Sequence, residues 1–401
     1  MSTSPDAAQA PTRVSAPQGF LALELDGDGA HPAAWRKARH APTGLLDGAR
    51  IRATVLAAES AGFHVATFAD GALPAGGAGI TGRLNALQRA AFAGPVTSSL
   101  VLVPEVDTVY TEPFHVSTQL ASLDYVSGGR AGWLVAASDN AADAAAVGRE
   151  LVGGAGLARE AVDSVEVSRR LWDSWEDDAV IRDVATGRYL DVDKLHYADF
   201  AGDSYSIKGP SIIPRPLQGQ VPVLAPAGLL SAEPLSAGSA DALLVSAPTP
   251  ELLSAEVADA RAATPSAAII AELDVVLDAR GQDAAARLAE LDAHSRWESP
   301  RARFVGSAAG LTELLADLLE TVDGVRLHPA VLDVELEELA RLVLPALRRR
   351  GRLAPVQPDT TFRELLGLPR PASRYAAPPA GAPSAVHPAA HPAARQGENN
   401  D

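Results

Sequence analysis

Between about Phe20 and Tyr375, short apolar runs alternate with longer amphipathic stretches. Repeated βα units produce this alternation, because parallel strands are buried on both faces while each covering helix hides only one. Eight runs read as strands: Phe20–Leu25, His64–Ala69, Ser99–Val103, Ala131–Ala136, Val221–Leu224, Ala242–Val245, Ala268–Val276 and Gly324–Leu327. Between the first two, Ile51, Val55, Ala58 and Gly62 recur at helical spacing; Val162, Val165, Val167, Leu171 and Trp172 do so between Glu160 and Trp175. Eight units in one chain predict an α/β fold, a TIM (β/α)8 barrel, with its site at the C-terminal ends of the strands.

The segment Leu195 to Pro216 breaks this rhythm with polar and aromatic residues and the turn pairs Gly202-Asp203 and Gly209-Pro210. It predicts an insertion over about 190–220, holding a small hairpin, after the fourth βα unit. Residues 1–18 lack the basic and apolar regions of a secretory signal and read as a disordered lead. Residues 376–401 form an Ala/Pro-rich tail with too few large apolar side chains to offset the entropy of ordering. His387 and His391 in that tail each precede a proline, so they read as solvated and not as a metal pair. One domain, 19–375, remains. No run approaches the ~20 apolar residues of a membrane span, and the expected compartment is the cytoplasm.

Composition narrows the function. The 401 residues carry 34 basic and 50 acidic side chains, a net charge of −16, which speaks against nucleic acid or an anionic membrane as partner. With no cysteine, disulfides, thiolate metal sites, iron–sulfur clusters and cysteine nucleophiles are excluded. The nine histidines form no HExxH or HxH cluster, and neither a P-loop nor a GxSxG elbow occurs, so no metal site is predicted. Gly77-Ala78-Gly79-Ile80-Thr81-Gly82 fits GxGxxG, but the chain from Asp70 to Gly76 separates it from its strand. It therefore reads as a flexible glycine loop.

Candidate chemistry sits after the strands. The first runs into Asp26-Gly27-Asp28-Gly29-Ala30-His31, the second into Asp70-Gly71, the third into Pro104-Glu105-Val106-Asp107-Thr108, and the fourth into Ala137-Ser138-Asp139-Asn140. From periodicity His31 reads first as a loop histidine capping the next turn and second as a general acid or base. Asp70 could hold a ligand hydroxyl or ring nitrogen, or serve the turn before glycine.

Several longer strings are distinctive. Glu112-Pro113-Phe114-His115 leads to Gln119-Leu120-Ala121-Ser122-Leu123-Asp124-Tyr125-Val126-Ser127-Gly128-Gly129-Arg130-Ala131-Gly132-Trp133. Gly29-Ala30-His31-Pro32-Ala33-Ala34-Trp35-Arg36 precedes it; Leu171-Trp172-Asp173-Ser174-Trp175-Glu176-Asp177-Asp178-Ala179, Pro214-Arg215-Pro216-Leu217-Gln218-Gly219 and Leu366-Gly367-Leu368-Pro369-Arg370-Pro371 follow. In kind and order these strings resemble the bacterial-luciferase-like flavin monooxygenases. The likeness is to the branch holding nitrilotriacetate, dibenzothiophene-sulfone and long-chain alkane monooxygenases. The resemblance implies a TIM barrel with insertions that takes reduced flavin mononucleotide (FMNH2) from a separate flavin reductase. With O2 it would oxygenate a small organic substrate, commonly as a homodimer.

Position by position, the resemblance makes His31 the catalytic candidate and Asp70 a flavin contact. Asp107 and Thr108 stand where the family carries a serine or threonine run, and Ser138 is the surviving hydroxyl of its Asn-x-x-Thr-Ser. Ala158 replaces the tyrosine that reaches the flavin phosphate, leaving Arg159 as the substitute partner, and Ser231 ends a phosphate loop displaced by one. Glu105 adds a carboxylate beside an anionic cofactor, unfavourable unless it is protonated or turned away. Each lost hydrogen bond to a charged phosphate is worth about 1.5–3 kcal/mol. These departures support two alternatives: a degenerate paralogue serving as a non-catalytic subunit or ligand-binding module, and a deazaflavin-dependent oxidoreductase.

Overall fold

The computed structural model describes residues 18–70, 82–229 and 240–376. Most of the lead, the tail and the glycine string, together with Ser231, lie outside the described residues. Among the described residues thirteen strands occur in chain order. They are β1 Phe20–Glu24, β2 Val65–Phe68, β3 Val101–Asp107, β4 Trp133–Ala136, β5 Val180–Asp183, β6 Arg188–Leu190, β7 Phe200–Ala201, β8 Ser206–Ile207, β9 Val223–Pro226, β10 Ala242–Val245, β11 Ala268–Leu277, β12 Ala302–Gly306 and β13 Gly324–Pro329.

Eight of these close a parallel barrel in the order β10-β9-β4-β3-β2-β1-β13-β11, with β10 pairing back onto β11. The expected TIM barrel is therefore present. Strands β5 with β6 and β7 with β8 form two antiparallel hairpins in the segment that precedes β9. Strand β12 was not expected from the sequence. It pairs with Leu273–Leu277 of β11, while β10 pairs with Ala268–Ala271 and β13 with Ile270–Val275. Since β13 occupies one edge, β12 must continue the edge that β10 leaves.

Helices α1 Gly48–Ala61, α2 Ala86–Ala93, α3 Pro113–Ser127, α4 Ala141–Ala146, α5 Ala155–Asp173, α6 Pro250–Ala263, α7 Ala284–Asp292, α8 Ala308–Leu318, α9 Leu332–Glu338, α10 Leu344–Arg349 and α11 Phe362–Leu365 accompany the strands. Their ends follow local chemistry. Asp47, Asn85, Asp283 and Ser307 each accept a backbone N–H at a helix start, and Gly62 and Gly128 close α1 and α3 in the left-handed conformation.

Side-chain alternation divides the core in two. Leu21, Leu23, Leu102, Trp133, Val325 and Leu327 pack outward with the helices. Phe20, Ala22, Val65, Val101, Val103, Leu134, Leu224, Leu244 and Ile270 fill the inside with Phe362 and Leu366, so α11 plugs the lower end. Gly132 makes room for this plug, because a Cβ there would lie 2.6 Å from the Phe362 ring.

Two strands run further than the apolar pattern suggests, and the difference builds the site. Strand β3 continues through Pro104 to Asp107, although proline reads as a stop. Pro104 pairs with Phe68, the last residue of β2, so its missing N–H costs little ladder there, and Glu105 to Asp107 continue against β4. Strand β13 likewise carries His328 and Pro329.

Candidate functional site

Inward positions change character toward the C-terminal ends of the strands. Above the apolar interior sits a buried polar layer: Glu24 on β1, Thr67 on β2, Glu272 on β11, and Arg326 with His328 on β13. Register explains the arrangement. Glu272 pairs with Arg326 and Asp274 with His328, and a spacing of two puts both members of each strand on one face.

Arg326 holds the layer together. Its Nη1 donates to Glu272 Oε1 at 2.8 Å, its Nε to Thr67 Oγ1 at 2.9 Å, and its Nη2 to Glu24 Oε2. Thr67 Oγ1 donates to Glu24 Oε2 at 2.6 Å, and Ala69 N donates to the other oxygen at 3.0 Å. Burial alone would raise both glutamates. Arg326, His328 and Thr67 reverse that at Glu24, and the His328 hydrogen bond with Arg326 does so at Glu272, so both sit below the usual carboxylate range.

His328 Nε2 lies 3.1 Å from Glu272 Oε1. Burial and then Arg326 lower the ring's pKa, so the imidazole is neutral at pH 7, with Nε2–H donating to the ionised carboxylate. Nδ1 is then an acceptor without a hydrogen-bond partner among the described residues. Arg301 completes this side, its Nε donating to Asp274 Oδ1 at 2.7 Å.

A cavity of about 610 Å³ opens above the layer, within the range of small-molecule and cofactor sites. Leu134, Val135, Pro226, Leu229 and Leu244 give it an apolar wall; Glu24, Glu105, Glu272, Arg301, Arg326 and His328 give it a polar one. Glu105 faces the cavity with no hydrogen-bond partner for its carboxyl among the described residues. Burial, reinforced by Glu24, Asp26 and Asp70 against the pull of Arg326, pushes it up to about 7.

The residues expected from sequence fall into separate places. Asp107, Thr108 and Ser138 come together at the β3–β4 edge: Asp107 accepts from Ser138 N at 2.7 Å and Tyr110 N at 2.6 Å, and Thr108 Oγ1 donates to Ala136 O at 2.9 Å. Ser138 Oγ is directed to Asp143 at 2.6 Å. Asp70 accepts from Asn85 Nδ2 and Ala86 N at the start of α2. Arg159 pairs with Asp203 at 2.6 Å beside a separate cavity of about 390 Å³.

His31 is buried beside the main cavity but does not line it. Its Nδ1 accepts from Ala33 N at 3.0 Å, its Nε2 lies 3.1 Å from Asp292 Oδ1, and its ring meets Trp297 edge-on at 5.4 Å. The neighbouring Gly29 and Ala30 are the lining residues. Glu24, Glu272, Arg326 and His328 escaped the sequence reading. Their signal was a lone charge inside an otherwise apolar strand, which must be paired or used.

The family implied by the sequence binds a flavin, a planar ring with an amide-like edge plus a phosphate. The cavity fits the ring: an apolar wall faces a polar one that offers Nδ1 of His328 and the free carboxyl of Glu105. The cations lining it, Arg301 and Arg326, are already committed to carboxylates.

Residues 30–348 match the luciferase-like monooxygenase family. Nitrilotriacetate monooxygenase component A of Aminobacter aminovorans is 41% identical over 135 residues, 33% of this chain and 29% of that protein. The chain thus matches under a third of such a relative's length. A pristinamycin IIA synthase subunit of Streptomyces pristinaespiralis is 31% identical over 331 residues, 81% of this chain and 91% of the relative. Among solved structures, riboflavin lyase with modified FMN and riboflavin superposes with a TM-score of 0.76 at 21% identity, covering 89% of this chain and 97% of that one. No helix among the described residues is long and apolar enough to cross a membrane. With the family matched along most of its length and the barrel in place, the chain belongs to the luciferase-like monooxygenases.

Proposed function

We propose that this protein is the oxygenase of a two-component system: it receives reduced FMN from a separate reductase and uses O2 to oxygenate a small organic substrate, working as a homodimer. The observation that carries this reading is the mixed cavity at the C-terminal mouth of a barrel in the luciferase-like family. Reduced flavin, when bound, supplies the electrons for O2 activation.

The chain's own residues do the rest. Leu134, Val135, Pro226 and Leu244 keep water from one face of the ring, and Glu105, Arg326 and His328 present donors and acceptors to its edge. His31 acts as a positioning residue, anchoring the turn that brings Gly29 and Ala30 to the cavity. Asp107, Thr108 and Ser138 lie on the β3–β4 side, and Ser231 and Arg159, the latter beside a separate cavity, are the candidates for the phosphate.

Anaerobic titration with reduced FMN tests the reading, followed by the fluorescence of the five tryptophans, of which Trp133 precedes the lining residues Leu134 and Val135. Saturable micromolar quenching supports it, and no binding up to millimolar overturns it. A second reading rests on the relative matched along 91% of its length, which is named as one subunit of a synthase. There this chain works beside a different partner chain. Turnover by the purified protein with a reductase and substrate alone would exclude that requirement.

A further inference from the structure

We propose that Glu105 is a proton-operated gate on the barrel-mouth cavity, admitting an anionic ligand, reduced flavin included, only while its carboxyl carries a proton. The inference rests on the flavin reading and adds to it a residue and a condition for binding.

Three observations support it. Glu105 stands on β3, one strand from β4, and its side chain opens into the cavity instead of turning away. Its carboxyl has no hydrogen-bond partner among the described residues, unlike Glu24 and Glu272 in the same layer, which Arg326 clamps. The surrounding charge is mainly of its own sign.

The groups facing it can be named strand by strand. Glu24 and Asp26 come from β1 and the turn after it, and Asp70 from the end of β2. Strand β11 brings Glu272, the approach to β12 brings Arg301, and β13 brings Arg326 and His328; β4, β9 and β10 contribute only apolar side chains and backbone. His328 is held neutral and Arg326 remains charged, while burial brings Glu105 up to about 7.

The two protonation states do opposite things to an incoming ligand. Protonated, the O–H donates to an acceptor on the ligand and the site loses a negative charge. Ionised, the carboxylate repels reduced FMN, which is negative at its phosphate and, once a ring proton leaves, on its ring as well. A lone carboxylate in the resemblance's serine and threonine position thus makes affinity conditional on pH.

The test compares the full chain with Glu105→Gln, measuring the dissociation constant of reduced FMN anaerobically from pH 6 to 8. If only the protonated form binds and the midpoint is near 7, wild-type affinity falls about tenfold across that range. The variant keeps a permanent N–H donor and no charge, so it should retain the pH 6 affinity apart from any slope due to the ligand's own protons. The lost carboxyl has no hydrogen-bond partner among the described residues, so the variant should fold, and its melting temperature at pH 8 should equal or exceed wild type. A wild-type slope unchanged in the variant overturns the gate while leaving flavin binding intact. Absence of binding by both proteins at every pH overturns the flavin reading and the gate with it.

Discussion

Arg326 and Glu272 are paired twice over, as neighbours in the register of β13 with β11 and by a 2.8 Å hydrogen bond between their side chains. Because the same guanidinium also reaches Glu24 and Thr67, three strands of the barrel share one cation. The polar floor of the cavity is therefore a structural unit as well as a lining. Removing one member of such a buried set leaves its partners charged and unsatisfied.

Arg326→Met should accordingly destabilise the fold by about 3–5 kcal/mol near neutral pH. The loss should shrink on acidification. Without the guanidinium, Glu24 and Glu272 regain the upward pull of burial, so they bind protons in the fold and become neutral at a higher pH. Urea unfolding at pH 5 and pH 8 measures this. A penalty equal at both values would show that the two carboxylates are not what Arg326 holds.

A second buried set ties the insertion to the barrel. Arg215 Nε donates to Asp173 Oδ1 at 2.9 Å with both side chains almost fully buried, and Arg215 and Arg370 converge on Asp177. Arg215→Met should cost up to about 3–5 kcal/mol, because Asp173 then keeps only Gln220 and the partly exposed Arg374 as partners. Since none of these residues lines the cavity, the folded variant should bind reduced FMN with wild-type affinity. Chemical denaturation and the fluorescence titration together check both halves.

These residues also show why the family was legible while the site was not. Asp124, Arg130, Asp173, Arg215 and Gln218 all lie in the distinctive strings, and all are buried in scaffold hydrogen bonds: Arg130 to Leu100 O and Gly94 O, Gln218 to Asp124. The strings therefore identify the frame. The eight strands were readable because each is a continuous apolar run between turns. The cavity floor was not, because Glu24, Glu272 and the Arg326–His328 pair lie more than forty positions apart on three different strands, and only barrel closure brings them together. Ser138 and Asp107 offer hydroxyl and carboxylate chemistry in the sequence, yet in the fold each has a neighbour to bind.

Below the polar layer, Phe362 plugs the barrel with its side chain fully buried. Phe362→Ala should cost about 3–5 kcal/mol, the usual penalty for deleting a buried aromatic ring. Gly132→Ala pushes from the other side, its Cβ meeting the ring at 2.6 Å and Val103 at 2.9 Å, and should cost about 1–3 kcal/mol. Combining the two should cost less than the sum, because the smaller side chain vacates the space that the new Cβ requires. A double-mutant cycle with strictly additive penalties would contradict that contact.

Glu105 makes a separate prediction about stability with no ligand present. Its ordinary value near 4.5 rises to about 7 in the fold, chiefly through burial. Between those values the folded chain holds a proton that the unfolded chain has released, so stability must fall as pH rises through that window and level off above it. Glutamine at this position carries no charge at any pH. The stability of Glu105→Gln relative to wild type should therefore be near zero at pH 4.5, grow between pH 5 and 7, and plateau by pH 8. The plateau should be roughly 1–3 kcal/mol, at 1.36 kcal/mol per pKa unit with an allowance for the carboxyl's opening to the cavity. Guanidinium or urea denaturation at four pH values reads the curve directly. A difference that was flat across pH, or that grew toward acid, would mean that the folded carboxyl ionises like an exposed one.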